Sequence, residues 1–218
     1  MTKVAVVISG CGFLDGAEIY ESVFTLLELD RHNAQVKIFA PNLKQTRVVD
    51  HLTNQEMSQE RNVLVESARI ARSKIQPLDQ LNVKEFDALI LPGGYGAAIN
   101  LSDVASKNAS AHVIDSLKAT IHEFNTTSKP IGAMCIAPAL LAIAFKNTTQ
   151  IKITLGDSNP LISQAGALEE TCKAEDVVVD ATNKIVTTPA FMLNASLTKI
   201  HLGISKLVSK VLEMSKHS

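Results

Sequence analysis

Cys135 is the residue of this chain whose position most directly suggests chemistry. It lies in AMCIA (residues 133–137), where one small residue stands two places before the cysteine and another two places after it. This spacing at a strand-to-helix junction is typical of a nucleophile elbow, because small neighbours let the chain turn sharply. A helix N-terminus also favours the thiolate form. The pattern therefore predicts a reactive cysteine; the alternative is a structural one, since free cysteine is often buried.

Two glycines suggest an oxyanion-binding site beside this cysteine. Gly93 and Gly94 follow an apolar run in LILPGGYG. Glycine lets the backbone aim N–H groups at a developing oxyanion, and the N–H group of Ile136, directly after the cysteine, would be a further donor. A tight turn that requires a positive φ explains the same pair, and the two interpretations are compatible.

Glu18 is the carboxylate that the sequence predicts near the thiol. It follows the first predicted strand in SGCGFLDGAEI, so it reaches Cys135 if the two strands are neighbours. There it would act as a general acid/base or as the hydrogen-bond partner of the thiol. The alternative is a capping box, in which Glu18 returns a hydrogen bond to the backbone of Asp15 at a helix start.

Three further residues are candidates for the same pocket. Cys11 lies in the loop that carries Glu18, although small-residue packing also explains it. Among six histidines, His51 is the one expected near a strand-end cleft, and Thr188 ends a predicted strand. The three cysteines are widely spaced and include no CxxC pair, which indicates neither a disulfide framework nor a zinc site. We therefore predict no metal and no cofactor.

Composition narrows the class of protein. The chain has 218 residues, of which 46% are hydrophobic and 20% charged, and its formal net charge is −1. The hydrophobic content is sufficient for one large buried core. A net charge close to zero gives no electrostatic field that would attract nucleic acid or an anionic membrane. The apolar stretch at residues 4–8 is too short for a signal or a spanning segment. We expect a cytoplasmic protein with neither nucleic acid nor membrane as partner.

Strands and helices alternate along the chain. Apolar, β-branched runs predict buried strands, and apolar residues at helical spacing predict the helices between them. The predicted strands cover residues 3–10, 34–41, 86–94 and 130–135, and a hairpin covers 176–190. The predicted helices cover residues 17–29, 58–73 (with Ser58 as N-cap), 110–124, 138–145 and 193–214. This order predicts one doubly wound α/β domain over residues 1–218, with a mainly parallel sheet, helices on both faces and a β-hairpin insertion or edge.

Several of these motifs together resemble a known family. They are SGCG with DGAEIYE, RNVLVESARIAR, LPGGYGAAINLS, MCIAPALL and NKIVTTPAFML. In this order, and over essentially the whole chain, they are similar to the ElbB group (enhancing lycopene biosynthesis or sigma cross-reacting protein) of the PfpI-type, class I glutamine amidotransferase-like superfamily. The resemblance implies a flavodoxin-like fold, a homodimer, a reactive Cys135, a Glu18 hydrogen-bonded to it and an oxyanion-side glycine at Gly94 or Gly93.

The resemblance also implies a candidate activity. Some members of the group are described as cofactor-free glyoxalases, which convert glyoxal or methylglyoxal to a hydroxy acid. Protease-like relatives carry a histidine after the nucleophile, where this chain has Ile136, which argues against proteolysis and glutamine hydrolysis. We therefore expect a small aldehyde substrate, with Cys135 as nucleophile and Glu18 as acid/base. Two alternatives stay open: a redox or stress sensor based on Cys135, and a binding scaffold whose chemistry has lapsed.

Overall fold

The computed structural model describes residues 1–216 of the chain. Within this range the strands are β1 (Lys3–Val7), β2 (Gln35–Ala40), β3 (Val49–Asp50), β4 (Gln55–Glu56), β5 (Ile75–Pro77), β6 (Ala88–Leu91), β7 (Ile131–Met134), β8 (Lys152–Ile153), β9 (Leu168–Glu169), β10 (Val178–Asp180) and β11 (Ile185–Thr188). The α-helices are α1 (Ile19–Arg31), α2 (Val63–Ile70), α3 (Tyr95–Ile99), α4 (Val104–Lys107), α5 (Asp115–Thr126), α6 (Ala137–Phe145), α7 (Pro160–Gln164) and α8 (Leu197–Ser215). Short 3₁₀ turns cover Leu78–Gln80, Val83–Glu85, Asn108–Ser110 and Ala190–Met192.

Seven strands form one sheet in the order β10-β11-β7-β6-β1-β2-β5. All neighbouring strands are parallel except β10, which pairs antiparallel with β11 at one edge. The predicted flavodoxin-like α/β fold is therefore confirmed, and the predicted hairpin forms that edge. The two remaining sheets are the small pairs β3–β4 and β8–β9.

Both faces of the sheet are covered, as the continuous apolar strands predict. Side chains of β1 alternate between two cores, with Ala5 and Val7 on one face and Val4 and Val6 on the other. Helices α5 and α6 pack on the first face, and α1, α2 and α8 pack on the second. In residues 1–216, no helix is both long enough and apolar enough to span a bilayer.

Four predicted helix starts were too early, because α1, α2, α5 and α8 begin at residues 19, 63, 115 and 197. Helix α2 begins at Val63, because the side chain of Asn62 accepts a hydrogen bond from the Val65 N–H group (3.1 Å) and caps the helix there. Ser58 lies in the irregular segment before it. At α1 the cap is Glu18 itself. The short edge strand β5 was not predicted. The single domain over residues 1–218 stays a prediction, and the last two of these residues lie outside the described range.

Candidate active site

Three loops meet where the central strands end. Because β7, β6 and β1 are adjacent and parallel, their carboxyl ends lie at one edge of the sheet, where ligands of such folds bind. Backbone hydrogen bonds join the loops: the Glu18 N–H group donates to the Gly93 carbonyl (3.0 Å), and the Tyr95 N–H group donates to the Phe13 carbonyl (2.8 Å). The loops after β1 and β6 therefore form one rigid frame around the end of β7.

Cys135 occupies the sharp turn between β7 and α6. Its φ of 59° is in the left-handed region, which is uncommon for residues with a side chain and is typical of a strained elbow. Its N–H group donates to the Thr188 carbonyl (3.1 Å), which ties the turn to β11. The sulfur accepts backbone hydrogen bonds from Gly94 and Ile136. Only 7% of Cys135 is exposed, so the thiol lies at the bottom of the site.

Glu21 is the carboxylate that contacts the thiol. It is fully buried on the inner face of α1, and its side chain is hydrogen-bonded to Cys135. One carboxylate oxygen accepts from the Gly93 N–H group (2.8 Å) and the other from the Phe191 N–H group (3.3 Å). Gly93 fits between the two groups only because it has no side chain: a Cβ atom there would lie 2.4 Å from the Cys135 Cβ and 2.9 Å from the carboxylate.

Burial dominates the electrostatics of this pair. Burial and the nearby charge of Glu18 raise the pKa of Glu21 to about 7. Burial and the negative charge of Glu21 raise the pKa of the Cys135 thiol well above its ordinary range, despite the N–H donors of Gly94 and Ile136. Near neutral pH the thiol therefore keeps its proton while Glu21 exchanges its own.

Glu18 lies at the site but not in the predicted contact. Its side chain accepts from the Glu21 N–H group (2.6 Å), so it caps α1 rather than bonding the thiol. The predicted capping box is absent, because the Asp15 carboxylate instead accepts from the Val49 N–H group (2.7 Å). Glu18 faces the cavity above Cys135, and burial raises its pKa. Its role as acid/base stays a prediction.

A cavity of about 540 Å³ opens above the thiol. Its lining includes Glu18, Gly94, Cys135 and Ile136. Most of the remaining wall is apolar or aromatic, with Phe13, Leu14, Tyr95, Leu161, Phe191 and Met192. Arg47, Asn108 and Asn159 add polar groups to the same wall. A mostly apolar cavity with a few polar groups around a perturbed thiol is the arrangement expected of a small-molecule site.

The other predicted site residues lie around this cavity rather than in its lining. The Gly93 N–H group is occupied by Glu21 and is not free for an oxyanion. His51 supports the loop after β1, since its ring packs edge-on against Phe13 (5.5 Å between centroids) and its Nε2 accepts from the Leu14 N–H group (3.3 Å). Thr188 is buried and donates to the Asp176 carbonyl (2.7 Å).

Cys11 also lies outside the cavity lining. It is half-buried, and burial and the neighbouring charge of Glu66 raise the pKa of its thiol. No cluster of histidine, cysteine and carboxylate side chains in residues 1–216 has the geometry of a metal site.

Sequence reasoning missed the two charged residues that the structure adds to the site, Glu21 and Arg47. Glu21 had a usable signal: Glu21, Thr25 and Glu28 follow at helical spacing and all lie on the buried face of α1. A carboxylate on the inward face of an amphipathic helix has to meet a partner there. Arg47 lies in the polar segment between β2 and β3. This segment has no hydrophobic periodicity that would predict which way the Arg47 side chain points.

Comparison with known proteins identifies the family. A rat protein, the ES1 protein homolog, mitochondrial, is 42% identical over 226 residues, which span 98% of this chain and 84% of the rat protein. The human glutamine amidotransferase-like class 1 domain-containing protein 3, mitochondrial, is 43% identical over 226 residues, spanning 98% of this chain and 83% of the human protein. This chain belongs to their family, the ES1 and ElbB-type glutamine amidotransferase-like class 1 proteins. No family model matches the chain.

Solved structures agree with this assignment. The isoprenoid biosynthesis protein with amidotransferase-like domain from Ehrlichia chaffeensis is 41% identical and superposes with a TM-score of 0.94, covering 98% of this chain and 99% of that one. A ThiJ/PfpI domain protein from Brachyspira murdochii is 17% identical, with a TM-score of 0.61 and coverage of 97% and 96%, and shares the fold alone.

The family corrects one prediction. The relatives from rat, human and zebrafish are all named as mitochondrial proteins, which contradicts the expected cytoplasmic location. That expectation rested on the lack of a long apolar stretch. Such a stretch marks secretion or membrane insertion, but its absence does not distinguish between compartments inside the cell.

The contact between Glu21 and Cys135 makes a testable prediction. Replacing Glu21 by glutamine removes the negative charge that raises the thiol pKa, so Cys135 should ionise at a lower pH and react faster with iodoacetamide at pH 7. The measurement is the rate of alkylation at Cys135 against pH, followed by mass spectrometry. Glu28→Gln is the matched control, because Glu28 is also buried on α1 but contacts His201 and Ser205. An unchanged alkylation profile in Glu21→Gln would contradict the assignment.

Proposed function

We propose that this protein is a cofactor-independent glyoxalase-like enzyme, which converts a 2-oxoaldehyde to a 2-hydroxy acid. The observation that carries the proposal is the buried pair of Cys135 and Glu21 at the bottom of a cavity that Glu18 also faces. This arrangement combines a nucleophile, a base for its proton and a second carboxylate on the substrate side. The conversion requires these three groups and no external oxidant.

The first step forms a covalent adduct. The Glu21 carboxylate accepts the thiol proton as the Cys135 sulfur bonds to the aldehyde carbon, and the same proton passes to the aldehyde oxygen to give a hemithioacetal. A pKa of about 7 suits Glu21 to accept and return this proton near neutral pH. The raised pKa of the thiol makes such a base necessary, because little thiolate is present before substrate binds.

The second step moves a hydrogen between the two carbons. Glu18 removes the proton from the carbon that carries sulfur, and the electron pair forms an enediolate on the neighbouring carbonyl oxygen. The N–H groups of Gly94 and Ile136 are hydrogen-bonded to the Cys135 sulfur. In the covalent adduct they would therefore lie close to the enediolate oxygen and could stabilise its charge. Glu18 returns the proton to the second carbon, and the hydroxyl proton on the sulfur-bearing carbon passes to the oxygen of the second carbon, which leaves a thioester of the hydroxy acid. Water then cleaves the carbon–sulfur bond, restores the thiol and releases the 2-hydroxy acid.

The redox-sensor alternative receives less support from the geometry. Oxidation of cysteine by peroxide is fastest at exposed thiols of low pKa. Cys135 is buried, and its pKa is raised. Selective oxidation of Cys135 over Cys11 and Cys172 under dilute peroxide would favour the sensor. A binding scaffold without chemistry would show neither oxidation nor turnover.

The direct test is formation of lactate from methylglyoxal by the purified protein without added cofactor. Replacing Cys135 by serine should lower turnover about 10³-fold or more, because the nucleophile is lost. Cys11→Ser is the matched control, since Cys11 lies outside the cavity lining, and it should retain turnover. No turnover in the unmodified protein, or full turnover in Cys135→Ser, would contradict the proposed enzyme.

Glu18 has a separate test. Replacing Glu18 by glutamine should lower turnover about 10² to 10⁴-fold, the usual contribution of a general acid/base. Glutamine can still accept the hydrogen bond from the Glu21 N–H group, so α1 keeps its cap and Cys135 should still be alkylated. Turnover and alkylation measured on the same preparation separate the two effects. Retained turnover would remove Glu18 from the mechanism.

We also propose that the protein forms a homodimer through α1 and the start of α8. These two helices pack together. Large apolar side chains of α1 remain exposed, with Ile19, Tyr20, Val23 and Leu27 each 42% to 52% accessible, and Leu197 and Leu202 of α8 are similarly exposed. Large exposed apolar side chains on two helices that pack together are typical of an interaction surface.

Sedimentation analysis tests the dimer. The unmodified protein should sediment at twice the mass of one chain, and Val23→Glu should shift it to the monomer because it places a charge in the apolar contact. Val65→Glu is the control, since Val65 is an exposed valine on another helix, α2, and it should leave the dimer intact. A monomeric unmodified protein would exclude this surface as a stable dimer contact.

A further inference from the structure

Arg47 is a cationic side chain in the cavity wall without a counter-ion. No carboxylate in residues 1–216 forms an ion pair with it. One terminal nitrogen donates to the Leu14 carbonyl (2.9 Å), and the Nε atom is buried without a hydrogen-bond partner. Partly buried guanidinium groups are normally paired, because desolvation of an unpaired charge is costly. This side chain therefore has unused capacity to bind an anion.

The two carboxylates that could pair with Arg47 are hydrogen-bonded to backbone N–H groups. Glu18 lines the same cavity, but its carboxylate accepts hydrogen bonds from backbone N–H groups in the first turn of α1. Asp15, on the loop beside Arg47, accepts from the Val49 N–H group. Neither carboxylate lies within ion-pair distance of the Arg47 guanidinium, so an anion paired with Arg47 would have to come from a bound molecule.

The guanidinium is also held in place. It stacks over the ring of Tyr95 at 4.6 Å from the centroid, and Tyr95 lines the cavity as well. The chain before Arg47 is fixed to α3, since the Thr46 N–H group donates to the Asn100 side chain (2.9 Å). The Gln45 side chain donates to the Arg47 carbonyl (2.9 Å). A positioned planar fork of this kind matches the geometry of a carboxylate or phosphate group.

The size of the cavity points in the same direction. About 540 Å³ is within the range of about 300 to 1,000 Å³ that holds drug-sized ligands, and it far exceeds what a three-carbon aldehyde fills. Most of the cavity lining is apolar, with Phe13, Leu161 and Met192 among its side chains. A ligand that fills this space would have an apolar body between a reactive carbonyl and a polar end.

We infer that the cavity binds carbonyl compounds with an apolar body and an anionic oxygen group, a carboxylate or a phosphate monoester, which pairs with Arg47 while the carbonyl carbon faces Cys135. The inference deepens the proposed function by naming its substrate class, and it rests on that function only for the chemistry at Cys135. Anion binding at Arg47 is a separate property of the cavity.

Unreactive probes test this property without turnover. Octanoate, heptyl phosphate and octanamide have the same seven-carbon apolar chain and differ in the chemistry and charge of the head group. Dissociation constants come from nuclear magnetic resonance titrations that follow the backbone amides of Gly94 and Ile136. The unmodified protein should bind an anionic probe at least about tenfold more tightly than octanamide, as expected for a charge-assisted hydrogen bond. Octanoate or heptyl phosphate as the tighter ligand then identifies the anionic group.

Three variants locate the effect. Arg47→Met should abolish the preference for the anion and leave octanamide affinity unchanged, which also shows that the cavity is still folded. Arg47→Lys should retain part of the preference, because it keeps the charge and loses the planar fork. Arg72→Met is the matched control, since Arg72 is exposed outside the cavity, and the preference should be intact.

Two results would overturn the inference. One is equal affinity for anionic and amide probes, or no binding of any probe, in the unmodified protein. The other is a preference that survives in Arg47→Met. Methylglyoxal turnover is measured separately, so the two ideas fail independently: turnover without anion preference removes only the substrate class, and anion preference without turnover removes only the proposed chemistry.

Discussion

The burial of one carboxylate against one thiol is the constraint on which this site depends. Glu21 lies in the first turn of α1, and Cys135 follows β7 directly. Gly93 lies between the two side chains, because a side chain at this position would overlap with both of them. Burying an acidic group is costly unless its oxygens are satisfied. Here the N–H groups of Gly93 and Phe191 and the thiol itself supply the partners. The positive φ of Cys135 is the backbone arrangement that brings the sulfur to this carboxylate.

This constraint explains why the surrounding loops are so closely connected. Gly93 and Gly94 are consecutive residues of one turn. The Gly94 N–H group faces the Cys135 sulfur, and the Gly93 N–H group donates to the Glu21 carboxylate. Phe191 donates to Glu21 and also lines the cavity. A change at the carboxylate would therefore reach the sulfur, the cavity wall and the start of α1 together. Such shared contacts are the condition under which mutational effects stop being additive.

The fold was predictable because strands buried on both faces appear in the sequence as continuous apolar runs, as β1, β6 and β7 do. Strand β5 was not predicted because it has only three residues and ends at a proline. The elbow at Cys135 was predictable because its small neighbours are a local pattern.

The identity of the carboxylate was less accessible to sequence reasoning. Glu18 and Glu21 are both near the start of α1, and the choice between them depends on which side of the helix meets the sheet. Helical spacing contains this information, but only once the start of the helix is known. Arg47 depends on long-range contacts with α3 and the loop after β1, and these contacts leave no periodic signal in the sequence.

The balance of charges around the cavity limits the reactions that the site can serve. No histidine in residues 1–216 lines the cavity, and Ile136 occupies the place after Cys135. Cleavage of an amide needs an acid to protonate the leaving amine as well as a base for the thiol. The proposed addition to an aldehyde has no leaving amine. In that proposal the buried carboxylate of Glu21, with a pKa of about 7, serves the sulfur, and Glu18 on the cavity side takes the carbon-bound proton. These residues therefore fit the proposed carbonyl substrate better than a peptide.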